Sequence, residues 1–391
     1  MKCGFMTKEL FLPFAKPCLS EETLNEVMDS LRSGWITTGP KVKRFESLLQ
    51  QYLECPNISL LSSGTAGLHL SLLHLGLKPG DEVITTSFTF IATLNTIVLA
   101  GGTPVLVDVE RDTYNMDVSH LEAAITERTK AIVPVHFAGA PVDLDPLYAL
   151  AHRYNLRVIE DAAHAIGAEY KGKKIGSFGD TQVFSFHPNK NITTGEGGCV
   201  SSQDKELIRS VNVLKFHGID RDSWNRFSKE GSQLYDVIAP GFKYNMMDLQ
   251  AALGIHQLPL LDTFTDLRTV RVQKYRQAFQ DWDELFLPEA PAYDHHHSWD
   301  LFAPTLNSKK TSLSRNEVID KLKDENIGAG LHWQAPHLFS FYQNTFGFKA
   351  GDFPKAEYIA DHVLSLPLFP QMTDAEQDRV IRAMRKIFKK D

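Results

Sequence analysis

Residues 183–200 read VFSFHPNKNITTGEGGCV, and this run constrains the chain more than any other. Val183 to Phe186 reads as a buried strand. Pro188 has no N–H for a sheet ladder and disfavours helical geometry at His187, so the strand must stop there. Lys190 follows in a polar turn, Gly195-Glu196-Gly197-Gly198 gives a flexible return, and a second strand resumes at Cys199-Val200. A lone lysine on such a turn is most often a solvated hairpin residue. Loops held by a rigid scaffold are also where chemistry concentrates. The rest of the chain decides between the two.

The 391 residues are 43% hydrophobic and 23% charged, with a net charge of −7. That composition is globular and long enough for two domains, and its acidic balance argues against a nucleic-acid partner. The basic residues Arg382, Arg385, Lys386, Lys389 and Lys390 suit the end of a helix rather than a ligand. Cys3, Cys18, Cys55 and Cys199 contain no C-x-x-C pair and read as reduced thiols. No run has the length of a signal peptide core or a membrane span, so a cytoplasmic protein without membrane contact is expected.

The pattern predicts helices over 20–33 and 41–53, then alternating strands and helices: strands at 58–61, 82–87, 103–109, 131–136 and 157–161, with helices between them. Near-continuous apolar strands separated by helices indicate a parallel sheet covered on both faces, an α/β fold. Beyond a helix at 204–216, residues 216–238 form a long polar stretch with Trp224 and Tyr235, a length that usually marks function. A helical run over 247–281 breaks at Pro259. The remainder mixes a strand at 298–306 with helices at 315–325 and 374–390. We expect a large domain over 11–256 and a smaller α+β domain over 257–391.

Three features converge with Lys190. Ser62-Ser63-Gly64-Thr65-Ala66 lies at a strand-to-helix turn, where backbone N–H groups suit an anion, although Ser and Thr cap helices everywhere. Glu160-Asp161-Ala162-Ala163-His164 puts carboxylates at the carboxyl end of a strand, where open α/β sheets bind ligands; helix capping is the competing role. Phe90, just past another strand end, is either a stacking surface or core. Pyridoxal 5′-phosphate (PLP) uses all four: a lysine, a carboxylate at its ring nitrogen, a phosphate cup and a flat neighbour. The glycines after Lys190 do not open a helix in a βαβ unit, so they are no dinucleotide motif. His295-His296-His297 points to alternate sides of an extended chain, so no metal site is expected.

These motifs, with Ser33 to Pro40, Val135-His136, Gly139 and Gly241-Phe242-Lys243-Tyr244-Asn245, resemble the DegT/DnrJ/EryC1/StrS family of aminotransferases acting on nucleotide-linked keto sugars. The resemblance runs from about Phe11 to the last helix. It implies fold type I, PLP bound through Lys190, and Asp161 at the ring nitrogen. It further implies phosphate binding by Gly64, Thr65, Ala66 and Ser185, Phe90 on the ring, and His164 on the ring hydroxyl side. Lys243, where relatives commonly carry asparagine, would reach the phosphate of a partner subunit in a homodimer with shared sites. Asp300 stands where many relatives have histidine in a W-H-L-F run.

The Phe-His-Pro-x-Lys and Thr-Thr-Gly-Glu-Gly-Gly wording, Gly330 to Trp333 and Ser365 to Pro370 are similar to the branch making UDP-4-amino-4-deoxy-L-arabinose. That implies transfer from glutamate to C4 of a nucleotide sugar in surface polysaccharide or lipopolysaccharide synthesis, with Trp35, Thr37 and His332 near the substrate. A 3-aminotransferase or a dehydratase on a dTDP- or GDP-sugar is the alternative, but the dehydratases replace the lysine by histidine. A PLP-binding regulator would need a DNA-binding face that the sequence lacks.

Overall fold

The computed structural model describes residues 10–220 and 235–390. Helix α1 (Glu21–Ser33) starts on Ser20, whose hydroxyl accepts from the Thr23 amide, and stops at Gly34 in a left-handed conformation. Pro40 opens α2 (Pro40–Tyr52), where its missing N–H costs nothing. The chain then alternates through β1 (Ile58–Leu61), α3 (Gly64–His74), β2 (Glu82–Thr86), α4 (Ile91–Leu99), β3 (Thr103–Val107), α5 (Leu121–Ala124), β4 (Thr129–Val133), α6 (Leu144–Arg153) and β5 (Arg157–Asp161). The short strands β6 (Glu169–Tyr170) and β7 (Lys173–Lys174) precede β8 (Thr181–Ser185) and β9 (Gly198–Ser202).

Among the described residues seven strands form one sheet in the order β1-β9-β8-β5-β4-β2-β3. The pairs β2–β3, β2–β4, β4–β5 and β5–β8 are parallel, and β9 runs antiparallel to both β8 and β1. The carboxyl ends of β1, β8, β5, β4 and β2 therefore share one edge. Strands β1, β2, β8 and β9 are buried along nearly their whole length, as strands covered on both faces are.

Helix α7 (Lys205–Leu214) leads to residues 216–220 and, beyond 221–234, to 235–245; Trp224 lies outside the described residues. Helix α8 (Asp248–Ile255) packs on α1 and α2, and a 3₁₀ turn at Leu258–Leu260 makes the expected break at Pro259 before α9 (Leu261–Phe279). The remaining elements are β10 (Leu285–Phe286), β11 (His295–His296), β12 (Thr305–Leu306), α10 (Arg315–Asp324), α11 (Ser340–Phe346), α12 (Pro354–His362) and α13 (Asp374–Phe388). Helices α10 and α13 open on capping boxes, Ser314 with Glu317 and Thr373 with Glu376. Residues of α9, α10 and α13 share an apolar cluster with Phe302, Leu364 and Leu366, separate from the clusters on the two faces of the sheet.

The strand expected over 298–306 is confined to Thr305–Leu306. Trp299 takes a positive φ of 47°, which breaks the extended chain, and the amides of Ser298 and Asp300 donate to the carbonyls of Gly139 and Ala138. Local alternation lost here to contact with the sheet's carboxyl edge. No helix among the described residues is long and apolar enough to cross a membrane.

Candidate active site

At that edge a cavity of about 440 Å³ is walled by Gly64, Thr65, Phe90, Asp161, His164, Ser185, Lys190 and His332, with Trp333 beside them. The turn carrying Lys190 is locked from within. Phe186 N donates to Gly197 O, Thr193 Oγ1 and Thr194 N donate to Phe186 O, and Gly195 takes φ 78°. Asn191 Nδ2 reaches Ser298 O at 2.8 Å and ties the turn to the later chain. The result is a Lys190 side chain only 10% exposed, with Nζ 3.6 Å from Asp300 Oδ2. This is no solvated hairpin lysine.

Strand pleating sends the two carboxylates of β5 opposite ways. Glu160 accepts from Tyr148 Oη (2.7 Å) and Gln182 Nε2 (2.6 Å), and pairs with His136 Nε2 (2.8 Å), all away from the cavity. Asp161 lines the cavity, accepting from Thr93 Oγ1 at 2.8 Å and the Ala163 amide at 3.2 Å. Burial pushes its carboxyl pKa up, against the two hydrogen bonds and the charge of Lys190. A protonated ring nitrogen would supply the missing counter-charge.

Ser63 Oγ caps α3 by accepting the Ala66 amide at 3.0 Å, which commits Ala66 to the helix and leaves it outside the cavity wall. The Gly64 and Thr65 amides, at the first two helical positions, have no carbonyl a turn earlier to bond. Ser185 and Lys190 line the same cavity, so these amides and the Ser185 hydroxyl have the chemistry to hold an anion there. Backbone orphans at a helix start, a buried carboxylate and a near-buried amine fit PLP; Phe90, 53% exposed, gives a flat lip.

His164 Nδ1 accepts the Ala138 amide at 3.2 Å, so Nε2 carries the proton, and burial beside Lys190 holds its pKa well below the usual imidazole value. His332 contacts Ser365 Oγ at 2.9 Å, and burial with the nearby lysine brings its pKa down to about 3. His164 and His332 thus face the cavity as neutral imidazoles. Trp333 packs against the His164 ring (centroids 5.1 Å apart) and lies 6.4 Å from Phe90.

Three expected residues lie elsewhere in this chain. Trp35 Nε1 donates to Thr38 O, and the Thr37 carbonyl receives the Asp248 amide, both on the α2–α8 side. Lys243 Nζ donates to Asn245 Oδ1 at 2.7 Å and sits 4.1 Å above the Phe216 ring. Conversely, Thr93 and Asp300 were not among the expected site residues. Thr93 sits three residues past Phe90 in the first turn after a strand end, a position that local sequence could have suggested. Among the described residues no group of three or more metal-ligating side chains occurs; His297 instead stacks on Trp299 at 3.6 Å.

Residues 17–385 match the model of the DegT/DnrJ/EryC1/StrS aminotransferase family. The chain is 45% identical over 380 residues to the spore coat polysaccharide biosynthesis protein SpsC of Bacillus subtilis, covering 97% of each. The PLP form of the putative sugar aminotransferase Spr1654 of Streptococcus pneumoniae superposes with a TM-score of 0.88 at 34% identity, over 97% of this chain and 99% of that one. PseC of Helicobacter pylori, an aminotransferase involved in pseudoaminic acid biosynthesis, gives 0.89 at 28% identity, over 97% and 100%.

Proposed function

The chain belongs to the DegT/DnrJ/EryC1/StrS family of PLP-dependent sugar aminotransferases, with the fold type I architecture of its solved relatives, and from that premise we propose that it moves an amino group from glutamate to C4 of a nucleotide-linked 4-keto sugar, with UDP as the nucleotide. The observation that carries the reading is the meeting of Lys190, Asp161 and the start of α3 in one cavity. The likeness to a spore coat polysaccharide protein supports a place in polysaccharide biosynthesis, and the wording around Lys190 supports C4.

Bound PLP supplies an aldehyde carbon for an amine and a ring that takes up electrons from the carbon losing its proton. In our assignment Lys190 Nζ would hold the cofactor, and its amine would serve as the base that moves a proton in the reaction. Asp161 keeps the ring nitrogen protonated, an effect of roughly 1–3 pKa units, or about 1.4–4 kcal/mol. The Gly64 and Thr65 amides with Ser185 would hold the phosphate, Phe90 would cover the ring, and neutral His164 would lie on its hydroxyl side. His332 would border the sugar nucleotide in this cavity, and the loop with Trp35 and Thr37, which lies outside it, would do so only from a partner subunit.

We further propose that the protein works as a homodimer in which Lys243 serves the partner's phosphate. Its exposed position outside this chain's own cavity supports that, as does the apolar stripe of Leu24, Met28 and Leu31, exposed at helical spacing on α1. The division into units 11–256 and 257–391 belongs to the same reading, supported by the separate apolar cluster of the later helices.

Feeding UDP- and dTDP-linked 3-keto and 4-keto sugars separately and following glutamate consumption tests the substrate. Turnover of the UDP-4-keto sugar is expected; turnover of only a 3-keto sugar, or of free amino acids alone, would overturn the C4 reading.

A further inference from the structure

Asp300 is the one departure from the family wording that the geometry makes sense of. Its main chain is pinned: the amide donates to Ala138 O at 2.8 Å and the carbonyl accepts from Arg268 Nη1 at 3.3 Å. The carboxylate is 1% exposed and lies beside the cavity-lining Lys190 and His164, with no hydrogen-bond donor on either oxygen. A buried carboxylate without donors costs several kcal/mol unless a charge compensates it.

The fold itself makes no use of those oxygens. The buried Arg268 guanidinium bonds instead to the carbonyls of Trp299 (3.2 Å), Asp300 and Leu368 (3.1 Å). The basic nitrogens recorded within 4 Å of Asp300 Oδ2 belong to two cavity-lining residues, Lys190 Nζ and His164 Nδ1, each at 3.6 Å. His164 cannot be the partner. Its Nδ1 already receives the Ala138 amide, so a lone pair, not a proton, is turned toward the carboxylate. That leaves the lysine.

We propose that Asp300 is a positioning residue for Lys190, drawing its nitrogen to the His164 side of the cavity and supplying the counter-charge whenever that nitrogen holds a proton. The inference rests on the reading that Lys190 carries the cofactor. The charged and titratable groups facing Asp300 are Lys190 and His187 from the β8–β9 turn, His164 after β5, and Arg268 from α9. Burial pushes its carboxyl pKa up, and Lys190 and Arg268 act against that. An opposite charge at this range typically favours the charged form by about 1–3 pKa units. Asp161 acts on the far ring nitrogen, so the two carboxylates serve different atoms.

The test follows the visible absorbance of the PLP-loaded protein across pH in the wild type, Asp300→Asn and Asp300→Glu, with thermal unfolding alongside. The absorbance midpoint of Asp300→Asn should lie about one pH unit or more below that of the wild type. Asp300→Glu, which keeps the charge, should return most of the shift. Coincident titrations of wild type and Asp300→Asn would overturn the proposal, as would lower stability with an unmoved midpoint, since the carboxylate would then serve Arg268 alone. Should Asp300→Asn not fold, Asp300→Ser removes the same charge and the same downward shift is expected. A wild type without any Lys190-bound absorbance would overturn the cofactor assignment together with this proposal; a normal wild-type band with no response to the variants would overturn this proposal alone.

Discussion

A single methyl at Gly198 should disable the phosphate cup. Gly198 opens β9, opposite Ser185 on one side and Leu61 on the other. A Cβ there would lie 2.5 Å from Gly64 N and 2.6 Å from both Phe184 O and Ser63 C. All three are backbone atoms, so no rotamer relieves the clash, and the start of α3 must move relative to β8 and β9. Overpacking of this kind costs typically about 1–3 kcal/mol. Carried wholly by cofactor binding, that is roughly a 5- to 150-fold weaker PLP dissociation constant.

Carried wholly by the fold, at about 2 cal/mol/K of unfolding entropy per residue, it is a Tm lower by about 1–4 °C. Gly76→Ala is the control: nothing lies within 4 Å of its Cβ, but φ is +63°, so it should cost about 1–2 kcal/mol of stability and leave affinity unchanged. Titration of cofactor-free protein with PLP, read by absorbance, measures the first quantity, and thermal unfolding of the same samples the second. Wild-type affinity together with a wild-type Tm in Gly198→Ala would refute the clash at the start of α3.

Asp161→Asn keeps the shape and the Thr93 contact but removes the charge, so kcat should fall about 10- to 1000-fold while the cofactor-free Tm holds or rises; an unchanged kcat would separate Asp161 from the ring nitrogen. Mixing Lys190→Ala with Lys243→Ala protein should restore part of the activity that neither has alone, because one site of a mixed dimer keeps both residues; a fully active monomer would exclude the shared site.

What the sequence made legible was whatever depends on local pattern. The buried parallel strands, the Ser20 cap, the stop at Gly34 and the break at Pro259 all follow from residue types within a turn of where they act. The convergence of Lys190, Asp161 and Gly64 was legible too, because all three follow strand ends and a parallel sheet gathers those ends at one edge. Asp300 was not. Its neighbours predict a strand that would carry it along a sheet, and only the left-handed Trp299 and the bonds to Ala138 and Gly139 turn it inward. Nor could alternation alone say which of Glu160 and Asp161 faces the cavity. That required knowing which face His136, Tyr148 and Gln182 occupy.

The charge pattern of the cavity gives these positions one physical sense. Asp161 on its wall and Asp300 beside Lys190 are both buried carboxyl groups, and the imidazoles of His164 and His332 are held neutral. In the cofactor-free protein Lys190 is the cation that acts on both carboxyl groups, Arg268 acts on Asp300 as well, and burial raises the pKa of each. PLP would bring a second basic nitrogen, and in the proposed placement its phosphate would go to the amides of α3. Under the assignments proposed here, Asp161 then faces the ring nitrogen and Asp300 the lysine nitrogen, one carboxylate to each protonated centre. A cavity built this way favours a cofactor protonated at both nitrogens, the state in which the ring accepts electrons most readily and the carbon bound to Lys190 is most open to an incoming amine. Neutral histidines suit the same arrangement, since a third positive charge beside Lys190 would compete for the same two carboxylates.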